Sequence, residues 1–243
     1  MSKTKPDYGL DAGLAVYATF IVGVAGTVGG FVLLHQHIAH SIGLTYAVQG
    51  FSICCLILAS LMYLSSRIGK LHARDRLLAR LKLSGDETVL DVGCGHGLLL
   101  IAAAKLLSRG QAVGIDLWTQ DQYDNSREAT LTNAALEGVA QRVRVHDGDM
   151  RKMPFADGSF DATVAHFAIH NVRSRQGRRE AIREIVRTLC CGGQVAISDV
   201  ISLNLYADEL RKAEMIDVEI SSLSFWTFPP ARTVTARKPF ASI

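Results

Sequence analysis

The sequence predicts an α/β chain: a doubly wound parallel sheet with an antiparallel closing strand, preceded by a transmembrane α-helical hairpin. Three observations carry this expectation. Residues 12–66 contain no Asp, Glu, Lys or Arg, although 20% of the 243 residues are charged. From residue 87 onward, short β-branched runs alternate with helical stretches, the pattern of parallel strands joined by crossover helices. The last two strand-like runs are separated by too few residues for a crossover, which makes them antiparallel.

The hairpin is domain 1–66. A hydrocarbon core about 30 Å thick takes about 20 helical residues, and the uncharged run holds two such segments, about 14–34 and 44–64, around the polar stretch 35–41. Backbone in hydrocarbon must satisfy its own hydrogen bonds, so both segments are expected as helices. A signal peptide is the competing reading, but the first run is long, no small-x-small cleavage site follows it, and a second span comes next. Lys3 and Lys5 precede the hairpin, and Arg67, Lys70, Arg74 and Arg76 follow it. The positive-inside rule then gives an integral membrane protein with two spans, both termini and the C-terminal domain cytoplasmic, and the histidine turn outside. Gly26 and Gly30, backed by Gly23 and Gly29, let helices approach closely within the hairpin or between copies in a homo-oligomer. His35, His37 and His40 are residue types that bind zinc or copper. No carboxylate or thiol accompanies them, and no metal is expected.

Residues 67–82 carry six Lys or Arg against one Asp, with Ile68, Leu71, Leu78 and Leu81 at helical spacing. This is read as a basic amphipathic juxtamembrane helix, the alternative being an ordinary solvated face. Because the chain as a whole carries only +3, the remainder is slightly acidic. The charge stands where anionic lipids of the cytoplasmic leaflet would meet it, each residue contributing about 1 kcal/mol. Membrane lipids are thus expected partners and nucleic acid is not. Cys54, Cys55, Cys94, Cys190 and Cys191 show no metal-ligand spacing and are read as free thiols.

In the C-terminal domain, 83–243, strands are expected at 88–92, 112–115, 143–146, 162–165 and 194–198. The intervening helices are 98–107, 126–137 and 177–189. A helix over 206–215 follows, then the closing strands 217–225 and 232–237. No long insertion after the fifth strand is available as a lid, so the hairpin and its basic helix are expected to cover the site.

The first strand runs into Val89-Leu90-Asp91-Val92-Gly93-Cys94-Gly95-His96-Gly97. Glycines there permit positive φ and let a ligand approach the backbone. The spacing is G-x-G-x-G, not the dinucleotide G-x-G-x-x-G, and the leading acid suits a ligand with a cationic amino acid better than a pyrophosphate. Asp116 ends the second strand, followed by Leu117 and Trp118. Gly148-Asp149-Met150 follows the third. Residues 153–161 lead into a fourth strand ending at Ala165-His166-Phe167-Ala168-Ile169-His170-Asn171.

With these motifs in register, the chain from about Leu83 onward resembles the class I S-adenosylmethionine-dependent methyltransferases. The similarity is to the type 11 branch that includes ubiquinone and menaquinone C-methyltransferases and arsenite methyltransferases. The resemblance implies a Rossmann-like fold and S-adenosyl-L-methionine as cofactor. It implies Asp91, Gly93, Cys94, Gly95 and Gly97 around the cofactor, Asp116 on the ribose hydroxyls with Leu117 beside it, Asp149 on the adenine amine, Met150 against the ring, and His166 near the methyl; Trp118 is read either as packing on the adenine or as an ordinary core or rim aromatic. Cys190-Cys191-Gly192-Gly193 stands where relatives have a lysine-proline-glycine-glycine turn. An arsenite acceptor would need converging thiols, and these cysteines lie apart.

Methyl transfer is an in-line displacement in which the protein aligns the reactants. Where the acceptor must lose a proton, His166, His170 and Asn171 are the catalytic candidates; otherwise each is a strand-end polar residue bonded to backbone. Arg173, Arg175, Arg178 and Arg179 suit a phosphate or carboxylate or a charged surface. The expected acceptor is a hydrophobic or membrane-associated small molecule. A water-soluble metabolite, or a non-catalytic role in cofactor binding, are the alternatives.

Overall fold

The computed structural model describes residues 5–35, 42–118 and 125–240. Helices α1 (Gly13–His35) and α2 (Ile42–Leu64) pack as a hairpin, each of 23 residues and so about 35 Å long at 1.5 Å per residue. Their outer faces are bare hydrocarbon: Leu14, Phe31, Phe51 and Ile57 are all exposed. A Cβ on Gly23, Gly26 or Gly30 would run into Leu56, Ser52 or Gln49 of α2, while Gly29 faces open space. The small-residue stripe is therefore used inside the hairpin, where close approach of the two backbones requires it. Of the histidine cluster, His35 ends α1 and stacks on Phe31; His37 and His40 lie outside the described residues.

No break separates α2 from the globular part. It runs through a π-helical turn, Ser65–Gly69, into α3 (Lys70–Leu78). The basic helix expected over 67–82 is thus shorter, and its cations do not form one lipid-facing stripe. Lys70 is 4% exposed, Arg67 reaches Asp7 at 3.6 Å, and Arg74 pairs with Asp75. The reason is packing: Leu77, Leu78 and Leu81 are buried against the sheet domain, which turns one side of the helix inward.

The domain alternates β1 (Thr88–Val92), α4 (Leu98–Leu106), β2 (Gln111–Asp116), α5 (Arg127–Leu136), β3 (Val143–Asp147), β4 (Phe160–His166), α6 (Arg175–Thr188), β5 (Leu189–Asp199), α7 (Leu203–Lys212), β6 (Ile216–Ile220) and β7 (Arg232–Arg237). The sheet order is β3-β2-β1-β4-β5-β7-β6. β1 to β5 are parallel, and β7 runs antiparallel to β5 from Gln194↔Arg237 to Asp199↔Arg232. One face buries Val89, Val164 and Ala196 under α3 and α4. The other buries Leu90, Ile115 and Val234 under α6 and α7, with Tyr206 fully enclosed. β1 and β4 are neighbours whose crossovers lead to opposite sides, the switch point where open α/β sheets place ligands.

Several boundaries differ from expectation by three residues or more. The helix after β5 starts at Leu203, not 206. β5 begins at Leu189, so Cys190 to Gly193 lie within an irregular strand start instead of a separate turn. β6 stops at Ile220 because Ser224 pairs with Ala231 and closes the 221–231 connection onto α3.

Candidate active site

A cavity of about 480 Å³ opens at the C-terminal ends of β1, β2 and β4. Its floor is the glycine loop after β1. Gly93 has φ +74, and a Cβ there would collide with the Cβ of Ala168 in the loop after β4, so only glycine lets these two loops touch. The Gly93 N–H donates to the Ile115 carbonyl at 2.8 Å, and the Gly95 N–H donates to Asp116 Oδ2 at 2.8 Å. Asp116 Oδ1 accepts from the Trp118 N–H at 2.8 Å. A carboxylate accepts about four hydrogen bonds, so this aspartate keeps capacity after fixing the loop.

Asp91 is 2% exposed and lines the cavity. Its carboxylate accepts from the Leu100 N–H at 2.9 Å, in the first turn of α4. Burial nevertheless pushes its pKa up to about 7, and the nearby Asp116 adds to the rise. Cys94 lines the same wall, and burial pushes its thiol well above the usual range. Gly97 caps α4 with φ 87.

Across the cavity stand Leu117, Asp149 and Met150. Asp149 is gripped by Arg151, whose backbone N–H and Nε donate to Oδ1 at 2.8 and 3.0 Å; that guanidinium holds the carboxyl below its ordinary pKa. Trp118, placed by sequence beside the cofactor, does not line the cavity. Its Nε1 donates to Asp147 Oδ1 at 2.7 Å, and φ +56 turns the chain away.

His166 ends β4 and lines the cavity, its ring stacked on Phe167 with centroids 4.1 Å apart. Both ring nitrogens are buried without a hydrogen-bond partner, and burial pushes the pKa down to about 4. Asn171 also lines the cavity. His170 does not: its Nδ1 stands 2.7 Å from Asp199 Oδ1, and the fully buried Asp199 accepts from the Tyr206 hydroxyl at 3.0 Å and the Val200 N–H at 2.8 Å. The arginine cluster is divided as well. Arg173 lines the cavity, Arg178 donates to the carbonyls of Val172 and His170 and to Ser202 Oγ, and Arg179 faces Glu209 at 3.4 Å.

The cover was expected from the hairpin domain and its basic helix; the part of them that reaches the site is a segment sequence reasoning did not single out. Residues 5–12, ahead of α1, form a strap across the cavity mouth. The Asp7 N–H donates to Asn133 Oδ1 at 3.0 Å and Asn133 Nδ2 returns a bond to the Asp7 carbonyl at 2.8 Å. The Tyr8 hydroxyl donates to Glu137 Oε1 at 2.8 Å. Lys70 Nζ donates to the carbonyls of Tyr8 and Gly9 at 2.9 and 2.8 Å, and burial pulls its pKa down against the pull of Asp11. Tyr8, Asp11, Lys70 and His96 therefore line the cavity. No periodicity marks such a segment. Its only sequence signal is the polar run around Asp7, Tyr8 and Asp11 directly before the apolar span.

Among the described residues no group of three His, Cys, Asp or Glu side chains could hold a metal ion. A family model described as a methyltransferase domain matches residues 90–197. The chain is 32% identical over 127 residues to a methyltransferase, GfsG, of Streptomyces halstedii, covering 52% of this chain and 42% of that protein. It is 28% identical over 127 residues to a demethylmenaquinone methyltransferase of Lactobacillus johnsonii, covering 51% and 48%, and 28% identical over 143 residues to a sterol 4-C-methyltransferase of Caenorhabditis elegans, covering 59% and 39%. Each match spans less than half of the relative's length. Among solved structures, geranyl diphosphate C-methyltransferase of Streptomyces coelicolor with S-adenosyl-L-homocysteine superposes with a TM-score of 0.57 at 15% identity, over 70% of this chain and 79% of that one. The [4+2]-cyclase SpnF gives 0.57 at 20%, over 70% and 82%. Fold, glycine loop and family match agree: residues 90–197 belong to a methyltransferase domain, on the sheet architecture of solved S-adenosylmethionine-dependent methyltransferases.

Proposed function

We propose that the protein is an integral-membrane enzyme that methylates a hydrophobic or membrane-associated small molecule. The observation that carries the reading is the strap: one side of the cavity is walled by residues that continue directly into an apolar helix, so the route to the site begins at the hairpin. The two helices support membrane integration because they are long, apolar and mostly bare, whereas a soluble core helix would be buried. The strap and α3 leave the hairpin at the same end and meet, which supports N-terminus and catalytic domain on one side. The basic flanks make that side the cytoplasm.

The cavity fits the cofactor. Gly93 lets a ligand lie against bare backbone, and Asp91 is a buried carboxyl whose raised pKa falls when an ammonium arrives. Asp91 would face the amino acid part, Asp116 the ribose, and Asp149, Met150 and Leu117 the adenine end. When bound, S-adenosylmethionine supplies an electrophilic methyl on sulfur. His166, whose ring nitrogens are bare and whose pKa burial holds down to about 4, is neutral at pH 7 and would accept the proton of an acceptor that must lose one. Asn171 holds the acceptor from the cavity rim. His170 acts as a positioning residue, its backbone and ring tied to Asp199 beneath the loop.

Because a cyclase shares this fold, fold alone does not establish turnover. The test is transfer of labelled methyl by the full-length protein in lipid nanodiscs, offered a lipid extract or a soluble-metabolite extract. Label is expected in the lipid extract. Label only in the soluble extract would make the hairpin a simple anchor, and labelled cofactor bound without turnover would leave a binding module.

A further inference from the structure

A second cavity, of about 750 Å³, lies outside the methyl-transfer site, between α3 and the 221–231 connection. α3 contributes Arg76, and Arg80 follows in the turn just past its C-terminal end. Ser221, Ser222, Ser224 and Thr227 face them from the connection, and Ser198 and Thr233 come from the sheet. No Asp or Glu lines this space. Among the described residues neither arginine has an ion-pair partner; the Arg76 guanidinium stands 5.9 Å from the centre of the Trp226 ring instead. Thr227 supplies an independent sign of a ligand. It is 3% exposed, lines the cavity, and its Oγ1 has no hydrogen-bond partner, a state that is unfavourable for a buried polar group unless a ligand satisfies it.

The wall is built rather than loose. The Phe228 N–H donates to Ser65 Oγ at 2.6 Å, Trp226 packs at a tilt against His72 with ring centroids 4.4 Å apart, and Gly69 lies so close to the Trp226 carbonyl that a Cβ would overlap it. The connection is thus clamped to the helix that emerges from the hairpin.

We propose that this cavity binds a phosphoryl group. Two uncompensated guanidinium forks match phosphate oxygens, the serine hydroxyls add neutral donors, and the unpartnered Thr227 hydroxyl gains an acceptor. Ser198 on its floor is the register partner of His166, so the site adjoins the methyl-transfer cavity by one strand. The inference does not depend on the methyl-transfer reading. The phosphoryl group belongs either to a lipid headgroup or to a soluble organophosphate.

Trp226 is the natural reporter, and Trp118 is the only other tryptophan. The full-length W118F protein in maltoside micelles, which contain no phosphate, is titrated with glycerol phosphate in one arm and with phosphatidylglycerol in the other. A saturable change in Trp226 emission is expected, weakened at least tenfold by R76Q/R80Q. A response to phosphatidylglycerol alone assigns a lipid headgroup, and a response to glycerol phosphate assigns a soluble ligand. No saturable change in either arm, or an undiminished change in R76Q/R80Q, overturns the proposal. Binding of S-adenosylhomocysteine serves as the folding control. If R76Q/R80Q loses it, T227V decides: weakening of threefold or more supports the site, and unchanged affinity refutes it.

Discussion

At Asp91, two opposing effects meet. Burial raises the pKa to about 7, and the Leu100 N–H only partly offsets it. The folded value lies above the unfolded value of about 3.9, so this group stabilises the fold when protonated. That contribution is complete below about pH 4 and is lost as pH rises through about 7. A ligand ammonium reverses the preference by stabilising the carboxylate. At pH 6, S-adenosylhomocysteine binding should therefore release close to one proton, measured by calorimetry in buffers of different ionisation enthalpy. Asp91→Asn should release none, and equal release by both proteins would place the ammonium elsewhere. Asp91, the glycines and Asp116 were legible because a ligand-bearing turn demands those residue types at fixed spacing. His170 was not. Sequence puts it four residues past His166 at the same strand end, but it belongs to a short 3-10 turn, Ile169–Asn171, whose backbone is tied to buried Asp199. Which of two nearby histidines turns inward depends on a partner 29 residues away.

Elements with a repeating pattern were read nearly to the residue: β1 and β7 match the expected ranges, and α5 differs by one residue at each end. Elements defined by docking were not. The 221–231 connection and the strap have no apolar period, and their conformations come from distant partners such as Ser65, Asn133 and Lys70. Lys70 shows how such an element can be tested. Its ammonium is the donor to two strap carbonyls, and removing it leaves both unsatisfied at a cost of about 1–3 kcal/mol, reduced as water enters the opened edge. Lys70→Met should raise amide exchange at Asp7 and Gly9 about tenfold or more and weaken S-adenosylhomocysteine binding roughly tenfold, which is about 1.4 kcal/mol. The buried core beneath α4 should keep its exchange protection. Unchanged exchange at the strap would mean that Asn133 and Glu137 hold it unaided.

For the whole molecule, the strap couples the apolar hairpin to the sheet domain in a way that a simple anchor would not. Tyr8 and Asp11 line the cofactor cavity, yet they precede the hairpin, while Lys70 follows it. Removing residues 1–66 therefore removes a cavity wall together with the hairpin. A different alteration separates the two roles. The Asp11 N–H donates to Ser66 Oγ at 2.8 Å, so the chain enters and leaves the hairpin at nearly the same point, and a linker of a few glycines and serines can replace residues 13–64 without moving the strap. This shortened protein should bind S-adenosylhomocysteine within about threefold of the full-length affinity, whereas deletion of 1–66 should lose tenfold or more. Turnover should part from binding. If the acceptor reaches His166 from the bilayer, the linker protein should methylate a lipid-dissolved acceptor in nanodiscs far more slowly than the full-length chain, with binding preserved. Equal turnover by the two proteins would mean that the spans only tether the enzyme and that the acceptor arrives from water.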